Sequence, residues 1–447
     1  MLKMKHAAEL VLDLAKKKRQ ENVEVLVERD ELIEVNILNG KVEKVEQSTS
    51  LGLGIRIIND GRTGLASTER FNQESIEHTF LNAFENSKIH DPTEVEMLEA
   101  PENIPDSSIL KLYNPELEDL SLGELSEFGL SIEESIKSTE KRVVSIPYLG
   151  ASKASSESLL LSSRGISNKQ KSNEISAWCG PLLQDGDSRK SGMHFLHRRD
   201  FDRDEGEKIG ILAVKKASEM LNASPIPGCK ISVVLDEYVA PRLMGMFFGS
   251  FSAEKAQRGM SCLKGKLGKK ISIPELTLLD DPHLAGGKNS CFIDFEGCLT
   301  KPLKIIENGY FRNFLYHVES AKKENKCSTG HAFRSYSSGI STRLHNLVLP
   351  KGNHSLEQLC SFENKCLLVT QLEGQAGCNP ISGDISIGVQ GFLYENGLMI
   401  QPVENITLAG NFFEILFKIQ AAGDEYQPEI TSCFIPALLI EGFSISG

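Results

Sequence analysis

The stretch Gly377–Asn411, GCNPISGDISIGVQGFLYENGLMIQPVENITLAGN, decides how the second half of this chain is read. Ile385, Ile387 and Val389 alternate with small or polar residues. The alternation resumes out of phase at Phe392 and Tyr394, so Gly391 marks a shift within one strand. Asn396-Gly397 follows, then Met399, Ile400 and Val403. An Asn-Gly pair between two apolar runs predicts a hairpin, because both central residues of a type I′ turn need positive φ. Asn379-Pro380-Ile381-Ser382-Gly383-Asp384 forms a turn-rich lead-in. After the hairpin, Asn411–Ala422 reads as an apolar helix, and Ala437–Ser446 as a last strand. The rest of the chain is expected to build a sheet and helices around this hairpin.

Upstream, Lys230–Leu235 reads as a strand. A helix over Asp236–Ser250 follows, with Asp236 as its N-cap and Val239, Leu243, Met246, Phe247 and Ser250 inward. Past a Gly/Lys-rich loop, Gly259–Lys270, the signals are short and mostly β. They are Ile271–Ile273, Thr277–Leu279, Cys291–Asp294, Leu303–Ile306, a turn at Asn308-Gly309, and Tyr310–Tyr316. A polar connection, Glu319–Arg343, precedes Asn346–Leu349 and Leu367–Thr370. The first half opens with a helix over residues 5–20. Strands Val23–Val27, Leu32–Leu38, Val42–Gln47, Leu51–Ile58 and Arg62–Ser67 come next, turning at Asn39-Gly40 and Asp60-Gly61; they read as a four-strand meander closed by a helix at 72–88. Residues 90–120, rich in Pro and acidic side chains, read as a connecting arm. Helix Ser121–Thr139, strands Val143–Tyr148, Ser155–Ser162, Asn173–Trp178 and Met193–His197, and helix Asp204–Leu221 lead to a joint at Pro225 and Pro227. The fold class is therefore α+β: an N-terminal mixed α/β domain over residues 1–225, followed over 226–447 by a C-terminal domain of curved, mainly antiparallel β-sheet.

A chain of 447 residues exceeds one ordinary core, which also favours two domains. The net charge of −12 argues against a nucleic-acid-binding surface. No window approaches the length of an apolar membrane span, so no membrane association is expected. The amino-terminal stretch reads as an amphipathic helix rather than a leader. The ten cysteines are scattered without a CxxC pair and read as free thiols. A cytoplasmic location follows as the expectation, with the sequons at Asn222, Asn353 and Asn405 as chance matches.

Local chemistry is sparse. A helical HExxH, or the related HExxxH, would set two imidazoles on one helix face beside a glutamate; neither is present. His194 and His197 fall in a strand pattern that turns them to opposite faces. No GxSxG elbow occurs. Lys326-Cys327-Ser328-Thr329-Gly330-His331 crowds reactive residue types into a polar loop, for which a turn with hydroxyl–backbone bonds is the simpler reading. Gly245-x3-Gly249 reads as close packing. No metal ligands are expected in the chain from spacing.

Longer blocks carry more information. Phe292-Ile-Asp-Phe-Glu-Gly-Cys-Leu-Thr, Ile306-Glu-Asn-Gly, Ser328-Thr-Gly, Asn346-Leu, Asn379-Pro-Ile-Ser-Gly-Asp, Tyr394-Glu-Asn-Gly, Pro402-Val, Leu408-Ala-Gly-Asn and Leu439-Ile-Glu-Gly-Phe resemble the TldD/PmbA family, the modulators of DNA gyrase. Asn39-Gly-Lys-Val-Glu and Gly52-Leu-Gly-Ile-Arg extend the resemblance to the amino-terminal half. It implies a heterodimeric cytoplasmic metalloprotease acting on unfolded or peptide substrates. The TldD branch holds zinc with HExxxH on a helix and a later cysteine. The corresponding helix here, Asp236–Ser250, has no histidine, and Gly423-Asp424-Glu425 stands near where the cysteine falls. The resemblance thus implies a PmbA/TldE-like subunit with no catalytic residue and no cofactor of its own, paired with a zinc-bearing TldD-like chain, or forming a homodimer in isolation. Gly330, His331, Arg334, Ser382, Gly383 and Asp384 are the expected peptide-facing residues. Two alternatives stand beside this: a stand-alone peptidase using Cys327, His331 or Cys433, and a non-enzymatic regulatory binding protein.

Overall fold

The computed structural model describes residues 3–374 and 376–447; Met1 and Leu2 of the amino-terminal stretch, and Gln375, lie outside the described residues. The first half forms one seven-stranded sheet. Its strands run in the order Arg62–Thr68, Lys41–Asn59, Val23–Leu38, Val143–Ser162, Ser167–Asp185 and Ser188–Ser191, with His194–Arg198 also paired to Ser167–Asp185. Every pairing is antiparallel.

These strands are longer than their apolar patterns suggest. Val23–Val27 and Leu32–Leu38 belong to one strand of 16 residues, and Val42–Gln47 and Leu51–Ile58 to one of 19. Val143–Tyr148 and Ser155–Ser162 likewise join into one strand of 20. The expected four-strand meander is therefore three strands. The reason lies in two separate cores on one ladder. Val23, Val25, Val27, Leu53, Ile55 and Ile57 pack under helices Met4–Lys17 and Gln73–Ile89. Val35, Ile37, Ala151, Ile175 and Ala177 pack under helices Leu122–Thr139 and Glu205–Glu219. Between them the ladder is more open, with Arg29 and Asp30 exposed. Hydrophobic alternation lapses there, while backbone hydrogen bonding, which has no side-chain signature, continues.

The second half is organised by a six-stranded sheet ordered Leu398–Asn411, Asp384–Glu395, Lys365–Glu373, Cys229–Leu235, Leu438–Ser446 and Ile419–Ala422. Thr407, Leu408 and Ala409 also pair with Ser446, Ile445 and Ser444, so the sheet curls and closes on itself. Only the pairing of Lys365–Glu373 with Cys229–Leu235 is parallel in this sheet. The hairpin is present with its phase shift: the register breaks between Val389 and Gly391. Asn396 and Gly397 have φ of 51° and 75°, and the pairs Asn39-Gly40 and Asn308-Gly309 are likewise positive. The core beneath this sheet is aromatic, with Phe247 stacked on Phe412 at 4.6 Å.

Two expected helices are broken. The run from Asp236 is a short helix, Val239–Gly245, a 3-10 turn, Phe248–Phe251, and a further turn, Ala253–Gln257. Gly245 and Gly249 weaken the run, and each piece still buries apolar side chains. After Asn411, helix is confined to Phe412–Ile415, and Ile419–Ala422 is a strand on Leu438–Ser446. Here the hydrogen-bonding demand of the last strand outweighs helix propensity. Cys291–Asp294 is not a strand, apart from an isolated bridge between Ile293 and Leu299.

Gly391 is required sterically. A Cβ there would lie 1.8 Å from the Leu368 carbonyl oxygen. Gly391→Ala is expected to lower unfolding free energy by on the order of 2–3 kcal/mol, read from the midpoint of urea denaturation at unchanged m-value.

Candidate functional site

The structure sends the expected peptide-facing residues to two places. Gly330, His331 and Arg334 are all buried, His331 at 0% and Arg334 at 1% exposure. In the folded chain their polar atoms are turned to other parts of the chain. His331 Nε2 lies 2.8 Å from Asp280 Oδ2, and its Nδ1 lies 2.8 Å from Thr329 Oγ1. Held at both nitrogens, His331 is not available as a base for the exposed Cys327. Gly330, at φ 75°, lets its carbonyl accept from His345 Nε2 at 2.7 Å.

Arg334 belongs to a buried ion cluster. Its Nη2 donates to Glu24 Oε1 at 2.6 Å. Glu24 Oε2 accepts from Arg56, which also donates to Glu296 Oε1 at 3.0 Å. Glu296 Oε2 in turn accepts from the Val318 backbone N–H at 2.8 Å. Two carboxylates and two guanidiniums thus meet where the first sheet touches the loops of the second half. No short motif announces this, because the residues lie far apart in the chain.

The other three residues form the lead-in to the hairpin. Gly383, at φ 86° and buried, donates through its N–H to the Asn379 carbonyl at 2.8 Å. Ser382 and Asp384 are exposed, and Ser382 Oγ donates to Asp384 Oδ2 at 2.6 Å. Asn411 Nδ2 donates to the Ser382 carbonyl and to Asp384 Oδ1. The Ser382 and Asn411 donors hold the Asp384 carboxyl below its ordinary range.

A cleft of about 320 Å³ opens between the Glu205–Glu219 helix and the hairpin, lined among others by Met193, Lys216, Asp236, Tyr238, Gln390 and Phe392. Perturbed titratable groups lie in it and around it. Burial pushes the Asp236 carboxyl up to about 7 and raises Glu429. Burial lowers the Lys216 ammonium, which lies 3.2 Å from His194 Nδ1. Burial, with the Lys216 charge as a second cause, takes His194 down to about 4. In the sequence Lys216 looks like one more polar helix residue. The available signal is the acidic pair Asp236-Glu237 directly after a buried strand.

That capping is real: Asp236 Oδ1 accepts from the Tyr238 and Val239 N–H groups at 3.0 and 2.7 Å. It bears on the metal chemistry suggested by the resemblance. Residues 236–250 hold no histidine or cysteine. His194, the imidazole near this segment, faces the Lys216 cation. The donors here do not fit a zinc peptidase centre.

Comparison with known proteins bears on what this architecture is. Residues 228–447 match the PmbA/TldA metallopeptidase C-terminal domain, residues 23–87 match domain 1 of that group, and residues 115–221 match its central domain. The chain belongs to the PmbA/TldD family. It is 27% identical over 445 residues to the metalloprotease PmbA of Escherichia coli O157:H7, covering 98% of this chain and 96% of that protein. A Thermotoga maritima crystal structure described as a modulator of a DNA gyrase superposes with a TM-score of 0.89 at 26% identity, over 99% of this chain and 100% of that one. TldE from Thermococcus kodakarensis shares the fold, with a TM-score of 0.85 at 24% identity over 99% and 100% of the two chains. Named metalloproteases among the relatives place this member of the family in a peptidase setting. No helix among the described residues is long and apolar enough to cross a membrane.

Two outcomes are expected from these geometries. Arg334→Leu leaves Glu24 short of one of its two buried partners and should lower stability by about 3–5 kcal/mol, measured by chemical denaturation. For His194 the folded pKa of about 4 lies below the unfolded value. The unfolded chain therefore binds more protons between the two, and this group makes stability rise as pH rises from about 4 towards 6.5. His194→Gln should flatten that part of the stability–pH curve.

Proposed function

We propose that this chain is the PmbA/TldE-like subunit of a cytoplasmic two-chain metallopeptidase, itself without the catalytic metal. The observation that carries the reading is the segment after strand Cys229–Leu235. Where the family resemblance calls for HExxxH, this chain has DEYVAPRLMGMFFGS, its leading carboxylate is used as a cap, and a lysine ammonium stands beside the neighbouring imidazole. Zinc and the hydrolytic step then belong to a TldD-like partner.

Unfolded or peptide segments are the proposed substrates. Closure of the second sheet uses part of the edge that an added strand would need. The first sheet retains one: Arg62–Thr68 covers the strand Lys41–Asn59 only from Leu53 onward, so among the described residues Lys41–Gly52 is paired on one side alone. Residues 41–50 are exposed throughout. An extended peptide added there would be held through backbone hydrogen bonds, which tolerate varied sequence. The Ser382-Gly383-Asp384 turn is retained as a second surface element facing substrate.

The test is co-expression with a TldD-like chain from the same source. The two should copurify, and only the pair should degrade an unstructured polypeptide, in a chelator-sensitive manner. Proteolysis by this chain alone at the rate of the pair would overturn the non-catalytic reading.

A further inference from the structure

A second group of metal-ligating side chains lies away from the cleft, in the interior of the second half. Asp280 ends the strand Leu278–Asp280, His331 and His345 bracket the connection to Leu347–Val348, and Cys291 comes from the intervening loop. Asp280, His331 and His345 are buried, at 0%, 0% and 5% exposure. One donor atom from each lies within 4.8 Å of the other two.

The hydrogen bonds around the rings point to a cation at this place. His345 Nε2 donates to the Gly330 carbonyl at 2.7 Å. That contact fixes the tautomer and leaves Nδ1 with its lone pair, 3.6 Å from Cys291 Sγ. His331 Nδ1 is engaged by Thr329 Oγ1, which leaves Nε2 turned to Asp280 Oδ2. Imidazoles that ligate a metal characteristically anchor the other ring nitrogen on a carbonyl, carboxylate or hydroxyl in this way. Zinc bond lengths of about 2.0–2.3 Å imply about 3.6 Å between a nitrogen and a sulfur ligand in a tetrahedron, which is the spacing found here. The nitrogen–oxygen spacing, 2.8 Å, would open by about half an ångström to accept the ion on the same bond lengths. Asp280 is itself oriented by the His345 backbone N–H, which donates to both its carboxylate oxygens.

We propose that Asp280, Cys291, His331 and His345 form a closed structural zinc site. Asp280, His331 and His345 already bring their donors together, and Cys291, 3.6 Å from His345 Nδ1 but outside that group of three, would close onto a Zn²⁺ ion as the fourth ligand, its thiol losing its proton to solvent. The site stands whether or not the chain acts through a TldD-like partner. It would staple the loops carrying Cys291 and His331 to the paired strands at Asp280 and Leu347. Its ligands come from positions 280, 291, 331 and 345, far too dispersed to form a zinc motif by spacing.

The test uses the full chain purified without chelator. Elemental analysis should find stoichiometric zinc, and removal of the ion should lower Tm. Cobalt exchanged into the site should give intense tetrahedral visible bands together with a thiolate-to-cobalt charge-transfer band. Cys291→Ser should lose the charge-transfer band, whereas Cys433→Ser should keep it. The combined variant His331→Gln/His345→Gln should lose zinc altogether. Wild-type chain that contains no zinc and acquires none, nor cobalt, on dialysis against the metal overturns the proposal, even if the variants do not fold. So does zinc retained equally by the double-histidine variant, which marks adventitious metal, and so does a cobalt spectrum without a charge-transfer band.

Discussion

The structure turns on four charges taken out of water together. Glu24 and Arg56 sit opposite one another on the first two strands of the seven-stranded sheet, and Glu296 and Arg334 come from loops of the second half. A lone charge at such depth would cost several kcal/mol. The cluster is tolerated because each carboxylate meets a guanidinium and the formal charges cancel. Its effect is directional rather than strongly stabilising. Sliding one half against the other by a residue would leave an unpaired ion in the interior, so the cluster sets the relative placement of the two sheets. Close backbone contact reinforces that placement. Glu28 accepts from the Tyr336 N–H at 2.7 Å, and Gly54 approaches Tyr336 so closely that a Cβ would lie 1.9 Å from its carbonyl oxygen.

The same constraint explains where residues with reactive side chains ended up. His331 and Arg334 looked like parts of a polar loop because their neighbours, Lys326 to Ser328, are exposed or partly so. The polarity of that loop has two destinations. Its tip is solvated, while its base is drawn inward by Asp280 and Glu24, both supplied from far away in sequence. Local composition reports that a segment is polar; it does not report whether the partner is water or a buried ion.

What was legible in the sequence follows the range of the interaction. Asn396-Gly397 and Gly391 act through local backbone geometry, so the hairpin, its turn and its change of phase were all readable. Ser121 and Glu124, which close a reciprocal cap, mark the start of a helix equally locally. Strand length was not readable, because the open middle of the first sheet is held by backbone pairing under charged side chains such as Arg29 and Asp30. The helix expected after Asn411 failed for a related reason: Ile419–Ala422 answers to the last strand rather than to its own periodicity. The cleft around Lys216 and Asp236 needed the third dimension, since its residues come from a helix, a strand end and the hairpin. The family resemblance reached further than any of these signals because it rests on the order of many blocks along the chain.

The two sheets treat their edges differently. A curled sheet that closes through Leu408 and Ile445 withdraws backbone donors and acceptors from solvent and gains rigidity. The first sheet keeps the strand from Lys41 to Gly52 open on its outer side, a hazard that exposed Lys41, Glu43, Lys44 and Glu46 moderate by disfavouring indiscriminate apolar association. Backbone pairing at such an edge recognises extended conformation, which folded proteins seldom offer and unfolded segments readily adopt. An edge of this kind selects by main-chain geometry rather than by side-chain identity.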